Sequence, residues 1–154
     1  MDNEVYCGSS VRNNVSDLKF LITKRVYGQA VQAPELFYRA WDECIELHVM
    51  NKDEWVGTTL STLACIEDRY EIGMHNGTCT VGGIILAPDL DIHVGRCLSV
   101  FAQYVMPEYR NRGISLRCMR LAEQIAKDMD FPVLAYTHRL GDWRYETIYR
   151  KIKT

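Results

Sequence analysis

A chain of 154 residues is long enough for one hydrophobic core and short for two, so a single domain over residues 1–154 is expected. Its 18 Lys and Arg against 20 Asp and Glu leave a formal charge of −2, which gives no global attraction to nucleic acid or to an anionic membrane; any anion site must be local. No run approaches the roughly 20 apolar residues of a membrane helix, and MDNEVYCGSS is neither basic nor apolar enough for a signal peptide, so a soluble, cytoplasmic protein is expected.

In chain order, EVYC reads as a short edge strand, followed by the turn-rich GSSVRNN. Ser16 then reads as an N-cap for a helix with Leu18, Leu21, Ile22 and Val26 on one face and Gly28 as its stop. The clearest helix follows Pro34, where PELFYRAWDECIELHVMN places Phe37, Trp41, Cys44, Ile45, His48 and Val49 at three-and-four spacing. The segment TTLSTLACIED, residues 58–68, is ambiguous between helix and loop. RYEIGMH and TCTVGGIILA flank Asn76-Gly77, a pair that tolerates the positive φ of a type I′ turn, and so predict an antiparallel hairpin. PDLDIHVG reads as a loop and RCLSVFAQYVM as a third strand, ended by Pro107.

After Gly113, SLRCMRLAEQIAKDMDF puts Leu116, Met119, Leu121, Ala122, Ile125, Ala126 and Met129 around one helical face. PVLAYTHR is a further strand, and WRYETIYRKIKT has a period of two, so it is read as a last strand after LGD. The fold class is therefore α+β, with helices covering a mixed, mostly antiparallel sheet. The six cysteines, Cys7, Cys44, Cys65, Cys79, Cys97 and Cys118, show no C-x-x-C spacing and read as core thiols; no metal site is expected. The sequons at Asn14 and Asn76 carry no meaning in a cytosolic chain.

One stretch concentrates unusual chemistry. In VMPEYRNRGIS, residues 105–115, a strand stops at Pro107 and a helix starts near Ile114. The amides between them have no intrahelical acceptor, and the helix dipole adds positive charge there. Gly113 lets a ligand approach the backbone, small Ser115 avoids blocking it, and Arg110 and Arg112 supply charge. The alternative is a solvated basic turn.

This stretch resembles the acyl-CoA pyrophosphate loop of the GNAT family of N-acetyltransferases, whose motif runs Q/R-x-x-G-x-G/A. Arg110, Gly113 and Ser115 match it, with serine in the last small position. Residues about 98 to 135 match at the level of sequence; the order of elements extends the likeness over roughly the whole chain. The resemblance implies that CLSVFAQYVM splays from PVLAYTHR and that the pantetheine arm of acetyl-CoA, as co-substrate, bonds to main chain near Tyr104, Val105 and Met106. It implies further that the amides of Asn111, Arg112, Gly113, Ile114, Ser115 and Leu116 hold the pyrophosphate and that an amide near Val105 supports the reacting carbonyl oxygen.

Family members normally follow the fifth strand with another helix, and here only about 20 residues follow Ala135, so a sheet without that helix is expected. Short chains of this kind resemble some encoded by bacteriophages, including ones associated with virion assembly. A phage origin, with a place in the host cytoplasm or the virion, is the corresponding expectation. The catalytic groups stay open. Tyr136, Tyr145 and Tyr149 read as packing or cross-strand residues, Glu71 as the wet face of a sheet, Gln103 as a residue near the acceptor, His48 as core, His75 as exposed, and His93 and His138 as lone histidines.

Two functions follow: an N-acetyltransferase taking a small-molecule or protein amine, or an inactive GNAT-fold module that pairs with a copy of itself or a virion partner through its last strand. Arg110, Arg112, Arg117 and Arg120 suggest a basic edge, yet the overall acidity makes nucleic acid the weakest partner.

Overall fold

The computed structural model describes residues 17–153, so the expected strand EVYC and the Ser16 cap lie outside the described residues. The elements are β1 (Lys19–Arg25), α1 (Glu35–Glu43), a 3-10 segment (Ile45–Val49), α2 (Lys52–Ala64), β2 (Arg69–His75), β3 (Thr80–Asp91) and β4 (Gly95–Val105). A 3-10 turn (Pro107–Tyr109), α3 (Ile114–Asp128), β5 (Val133–Gly141) and β6 (Arg144–Lys151) complete them. The six strands form one sheet in sequence order, antiparallel throughout except where β4 meets β5 in parallel. The fold class is as expected, and the turn from β5 to β6 is only Asp142-Trp143, with no helix between. Among the described residues, no helix is long and apolar enough to cross a membrane.

Several expectations are corrected. The first helix is instead strand β1, paired with β2 from Lys19↔His75 to Arg25↔Arg69. Its Phe20, Ile22 and Thr23 suit a pleated surface, and Leu21, Ile22 and Val26, the supposed helix face, are about half exposed. The long helix after Pro34 ends at Glu43, because Cys44 is extended (φ −107°, ψ 102°) and the chain restarts as the 3-10 segment. Ile45, His48 and Val49 therefore lie on the surface, and His48 bonds the Trp41 carbonyl through Nε2 at 2.8 Å. Residues 58–64 of the ambiguous segment belong to α2 and 65–68 follow it as a turn; the helix start is capped by Asn51, whose Oδ1 accepts from Glu54 N at 2.9 Å while its Nδ2 donates to the Glu54 carboxylate.

The β2–β3 hairpin forms where expected, with a different turn. Asn76 is not left-handed; Gly77 is (φ +94°), and Asn76 Oδ1 accepts from both Thr78 N and Cys79 N. The turn is therefore an Asx-anchored loop from Asn76 to Cys79, not type I′. The predicted loop at Pro88 is part of β3, beyond the end of its pairing with β2 at Leu86 and next to β4 alone. There a proline removes no ladder bond on the outer side.

The sheet is buried on both faces, unequally. On one, Ile72, Met74, Ile84, Leu86, Leu98 and Leu134 pack against Ile114, Cys118, Ala122, Ile125 and Ala126 of α3. Leu116 and Met129, expected on that face, are exposed. On the other, only Phe37, Val56, Leu63 and Ile85 form a buried cluster under α1 and α2. Cys97 and Cys118 are core thiols as expected; Cys44 and Cys79 are half-buried, and Cys65 is exposed after the end of α2.

Candidate functional site

β4 and β5 pair only at Leu98↔Leu134 and Ser99↔Ala135. Just past that contact the β3–β4 register slips: Val100 faces Leu86 and Ala102 faces Ile85, leaving Phe101 as an extra residue in β4. A bulge bends its strand and raises its twist, and here it turns β4 away from β5. The splay that the resemblance implies is present, and its cause, the Phe101 bulge, has no local sequence signal. Beyond it, Met106 N donates to Val81 O on the β3 side. Alternation along the strand then directs the main-chain groups of Val105 and Gln103 into the gap and those of Tyr104 and Met106 toward β3.

The chain leaves β4 through a turn fixed to the β2–β3 hairpin, where Asn76 Nδ2 donates to the buried Tyr109 hydroxyl at 2.9 Å. Asn111 (φ +58°) and Gly113 (φ +74°) are both left-handed. No side chain caps α3, and its first bond runs from Arg117 N to Gly113 O at 3.0 Å, so the amides of Ile114, Ser115 and Leu116 precede the ladder. Left-handed residues in such a turn gather successive N–H groups into a concavity that favours anions. Nothing lies within 4 Å of where a Gly113 Cβ would stand, so this glycine answers the backbone angle and not crowding. Buried Ile114 anchors the helix start, leaving Ser115 and Leu116 exposed.

The arginines do not form one basic edge. Arg110 turns back: Nε donates to Val105 O at 2.7 Å, Nη2 pairs with Glu43 Oε2 at 2.6 Å, and the guanidinium lies over the Tyr104 ring. Arg117 stacks on Phe20 of β1. Arg120 faces a separate cleft with Lys127, Arg150 and Lys151, while Arg112 is exposed beside Gly113. The Tyr104 hydroxyl donates to Glu43, and burial together with that carboxylate raises the phenol's pKa, so it stays a protonated hydrogen-bond donor.

A cavity of about 440 Å³ lies between α1–α2 and the sheet and reaches the splay. Its floor contains Gly73 and Gly83, paired across β2–β3, and Gly83 pairs in turn with Tyr104. Leu36, Phe37 and Trp55 line the helical side. Glu71 also lines it but is committed: Oε1 accepts from Arg69 Nε at 2.9 Å and Oε2 from Gln32 N at 2.8 Å. Arg69, fully buried, also donates to Gln29 O at 2.5 Å, so the pair pins residues 29–32 against the sheet. Glu71 is thus buried structure and not the wet face expected of it.

The other candidates separate. Gln103 is exposed on β4, His93 and His138 are exposed, and His75 is half-buried, contrary to expectation. The Tyr145 hydroxyl donates to Glu46 and that of Tyr149 to Asp91, while Tyr136 accepts from Arg150. Glu46, unmarked in the sequence reading, is the hub that fastens the β5–β6 hairpin. It accepts from Arg139 Nε at 2.8 Å, Trp143 N at 3.2 Å and Tyr145 Oη at 3.0 Å. The Arg139 guanidinium foremost holds its carboxyl at about 2, well below the ordinary 4.5.

The arrangement is a parted sheet, an amide-lined turn at the end of the parting strand and a cavity beside both. Residues 30–141 match the model of the Acetyltransferase (GNAT) family. A putative acetyl transferase from Pyrococcus furiosus is 15% identical, with 80% of this chain and 85% of that chain covered at a TM-score of 0.60. A ribosomal-protein-alanine N-acetyltransferase from Brucella melitensis biovar Abortus 2308 is 14% identical over 80% and 81% of the two chains, TM-score 0.55. AAC(6')-Iy in complex with the bisubstrate analogue CoA-S-monomethyl-acetylneamine is 11% identical over 81% and 83%, TM-score 0.56. No curated protein matches. With the family match spanning the parted strands, the turn and both helices of the cavity, the chain belongs to the GNAT acetyltransferase family.

Proposed function

We propose that the chain is an acetyl-CoA-dependent N-acetyltransferase that acts on a primary amine by direct attack on the thioester. The observation that carries this reading is the parting of β4 from β5 at Phe101, with the uncapped, left-handed start of α3 at the end of the same strand.

The residues fit the co-substrate. The amides from Asn111 to Leu116 suit a diphosphate, the gap-facing edge of β4 around Val105 suits the amide groups of pantetheine, and the neighbour bound to a CoA bisubstrate analogue supports the same class of ligand. Acetyl-CoA supplies an activated acyl group. Val105 N–H faces the gap and serves as donor to the carbonyl oxygen as charge gathers there, a contribution of about 3 kcal/mol for one such donor. Arg110 takes one of the two lone pairs of Val105 O, so a ligand on that atom shares it with the guanidinium or displaces it. Isothermal titration with acetyl-CoA tests the reading: saturable heat is expected, and no heat with no thermal shift at millimolar co-substrate overturns it.

A second reading, a GNAT-fold interaction module, is favoured by one observation. β6 is an outer strand, mostly exposed and joined to β5 without an intervening helix. Such an edge can pair with another chain. Light scattering distinguishes the readings: a dimer lost on a charge or proline substitution in β6, without acetyl transfer, supports the module, and a monomer with turnover removes it.

A further inference from the structure

The cavity carries information about the acceptor. Its walls are mainly apolar, from Leu36, Phe37 and Trp55 over the glycine floor, and its volume of about 440 Å³ suits a small molecule. The floor runs across three strands, from Gly73 on β2 through Gly83 on β3 to Tyr104 on β4. Two strand spacings make that path about 10 Å long.

At the β2 end, two buried polar atoms have no hydrogen-bond partner: Gln32 Oε1 and His75 Nε2. Both reach the same spot over Gly73, where a Cβ would stand 3.0 Å from His75 Nε2 and 3.8 Å from Gln32 Oε1. A side chain at position 73 would crowd His75, so the glycine leaves room for the imidazole beside the Gln32 end of the cavity. A buried polar atom left without a partner costs free energy, and a ligand group that satisfies it recovers that cost. Gln32 Oε1 requires a donor. The Nδ1 atom of His75 meets Thr80 Oγ1 at 3.2 Å, and either sense of that bond leaves Nε2 as a donor or an acceptor. With Thr80 donating to Nδ1, Nε2 carries the proton, and one hydroxyl then satisfies both atoms by accepting from Nε2 and donating to Gln32 Oε1. A carboxylate would face Gln32 Oε1 oxygen to oxygen beside the already paired Glu71.

We propose that the acceptor is an amine with an apolar body about 10 Å long and a neutral hydroxyl-like group at its far end, seated over Gly73 between Gln32 and His75. The reacting nitrogen lies at the Tyr104 end, where the cavity opens on the parted strands. The acceptor role rests on the N-acetyltransferase reading; the ligand chemistry does not.

The test separates the two. Titrating the protein, without acetyl-CoA, with aminooctanol and with octylamine should show aminooctanol binding about tenfold tighter, the yield of one recovered hydrogen bond. Gln32→Leu should reduce the ratio to below about twofold, as should Gly73→Ala, whose Cβ crowds His75 Nε2. Circular dichroism confirms folding, and either variant suffices. Equal affinities in the unaltered protein, or a preference that both folded variants retain, overturn the proposal. If aminooctanol is preferred and acetyl-CoA does not bind, the ligand class stands and the acetyltransferase reading falls. If both bind, kcat/KM for acetylation should show the same tenfold preference, and its absence overturns the acceptor role.

Discussion

The two faces of the sheet divide the work. Under α3 the strands bury Ile72, Met74, Ile84, Leu86, Leu98 and Leu134 against a continuous helix face. Under α1 and α2 the buried cluster shrinks to Phe37, Val56, Leu63 and Ile85, and much of the remaining space is cavity. Burial on the first face can support a hollow on the second, because neighbouring residues of one strand, such as Ile84 and Ile85, serve opposite faces. The charged groups follow the division. The buried Arg69–Glu71 pair and the Glu46 hub both stand on the hollow side, where they hold segments that a thin apolar core does not.

The largest test of this contrast is a pair of truncations. Leu98→Ala removes a fully buried side chain from the α3 face and should cost about 2–5 kcal/mol in urea unfolding. Leu36→Ala borders space that is already empty, so its loss should fall well below that of Leu98→Ala, while any acceptor affinity drops. Equal losses would mean that the hollow face is packed as tightly as the other.

Next in size is Gly113→Val. The left-handed φ of +74° costs a β-branched residue about 1–2 kcal/mol, which should lower the melting temperature by several degrees. If the turn holds the diphosphate, the dissociation constant for acetyl-CoA should rise at least about tenfold, as titration would read it. A variant that melts early yet binds acetyl-CoA unchanged would place the diphosphate elsewhere.

The α3 face was more legible than the hollow one, for a physical reason. The strands around RYEIGMH and RCLSVFAQYVM, the helix after Gly113 and the period of two in β6 are local patterns, and packing confirms them. β1 was misread as a helix because LKFLITKRV satisfies a three-and-four spacing and a strand propensity at once; only pairing with β2, some 50 residues away, decides between them. The α2 start could have been found from Asn51 and Glu54, which stand three apart as a capping box requires. The cavity could not. A two-residue turn at Asn76-Gly77 would set Gly73 against Thr80, whereas the longer Asx loop and a bulge set it against Gly83. The glycine floor exists only in that register. Arg110 was read as a motif position, but its partner Glu43 comes from a distant helix, so its inward turn was invisible.

Smaller effects probe how the hollow face is held. Glu46 keeps a depressed pKa of about 2, so its contribution is fully present above the ordinary 4.5 and is lost as pH falls from there toward 2. Glu46→Gln should lower the melting temperature at neutral pH and flatten its decline over that acid window. An unchanged acid profile in the variant would mean that other carboxylates govern it.

The smallest expected change in stability comes from Arg110→Ala, and it bears most directly on the strand edge. Its ion pair with Glu43 is 41% and 31% exposed, so its loss should cost less than about 1 kcal/mol. The consequence for binding has the opposite sign. Arg110 is paired with Glu43 and bonded to Val105 O, so combining Arg110→Ala with Glu43→Gln takes no net charge from the turn and leaves the strand edge clear. Acetyl-CoA affinity should then rise, by up to about tenfold if one charge-assisted hydrogen bond no longer has to be displaced. A fall in affinity, steeper at low ionic strength, would show instead that the guanidinium leaves Glu43 for the phosphates when the co-substrate arrives. The hollow face would then include a moving part in place of a fixed wall.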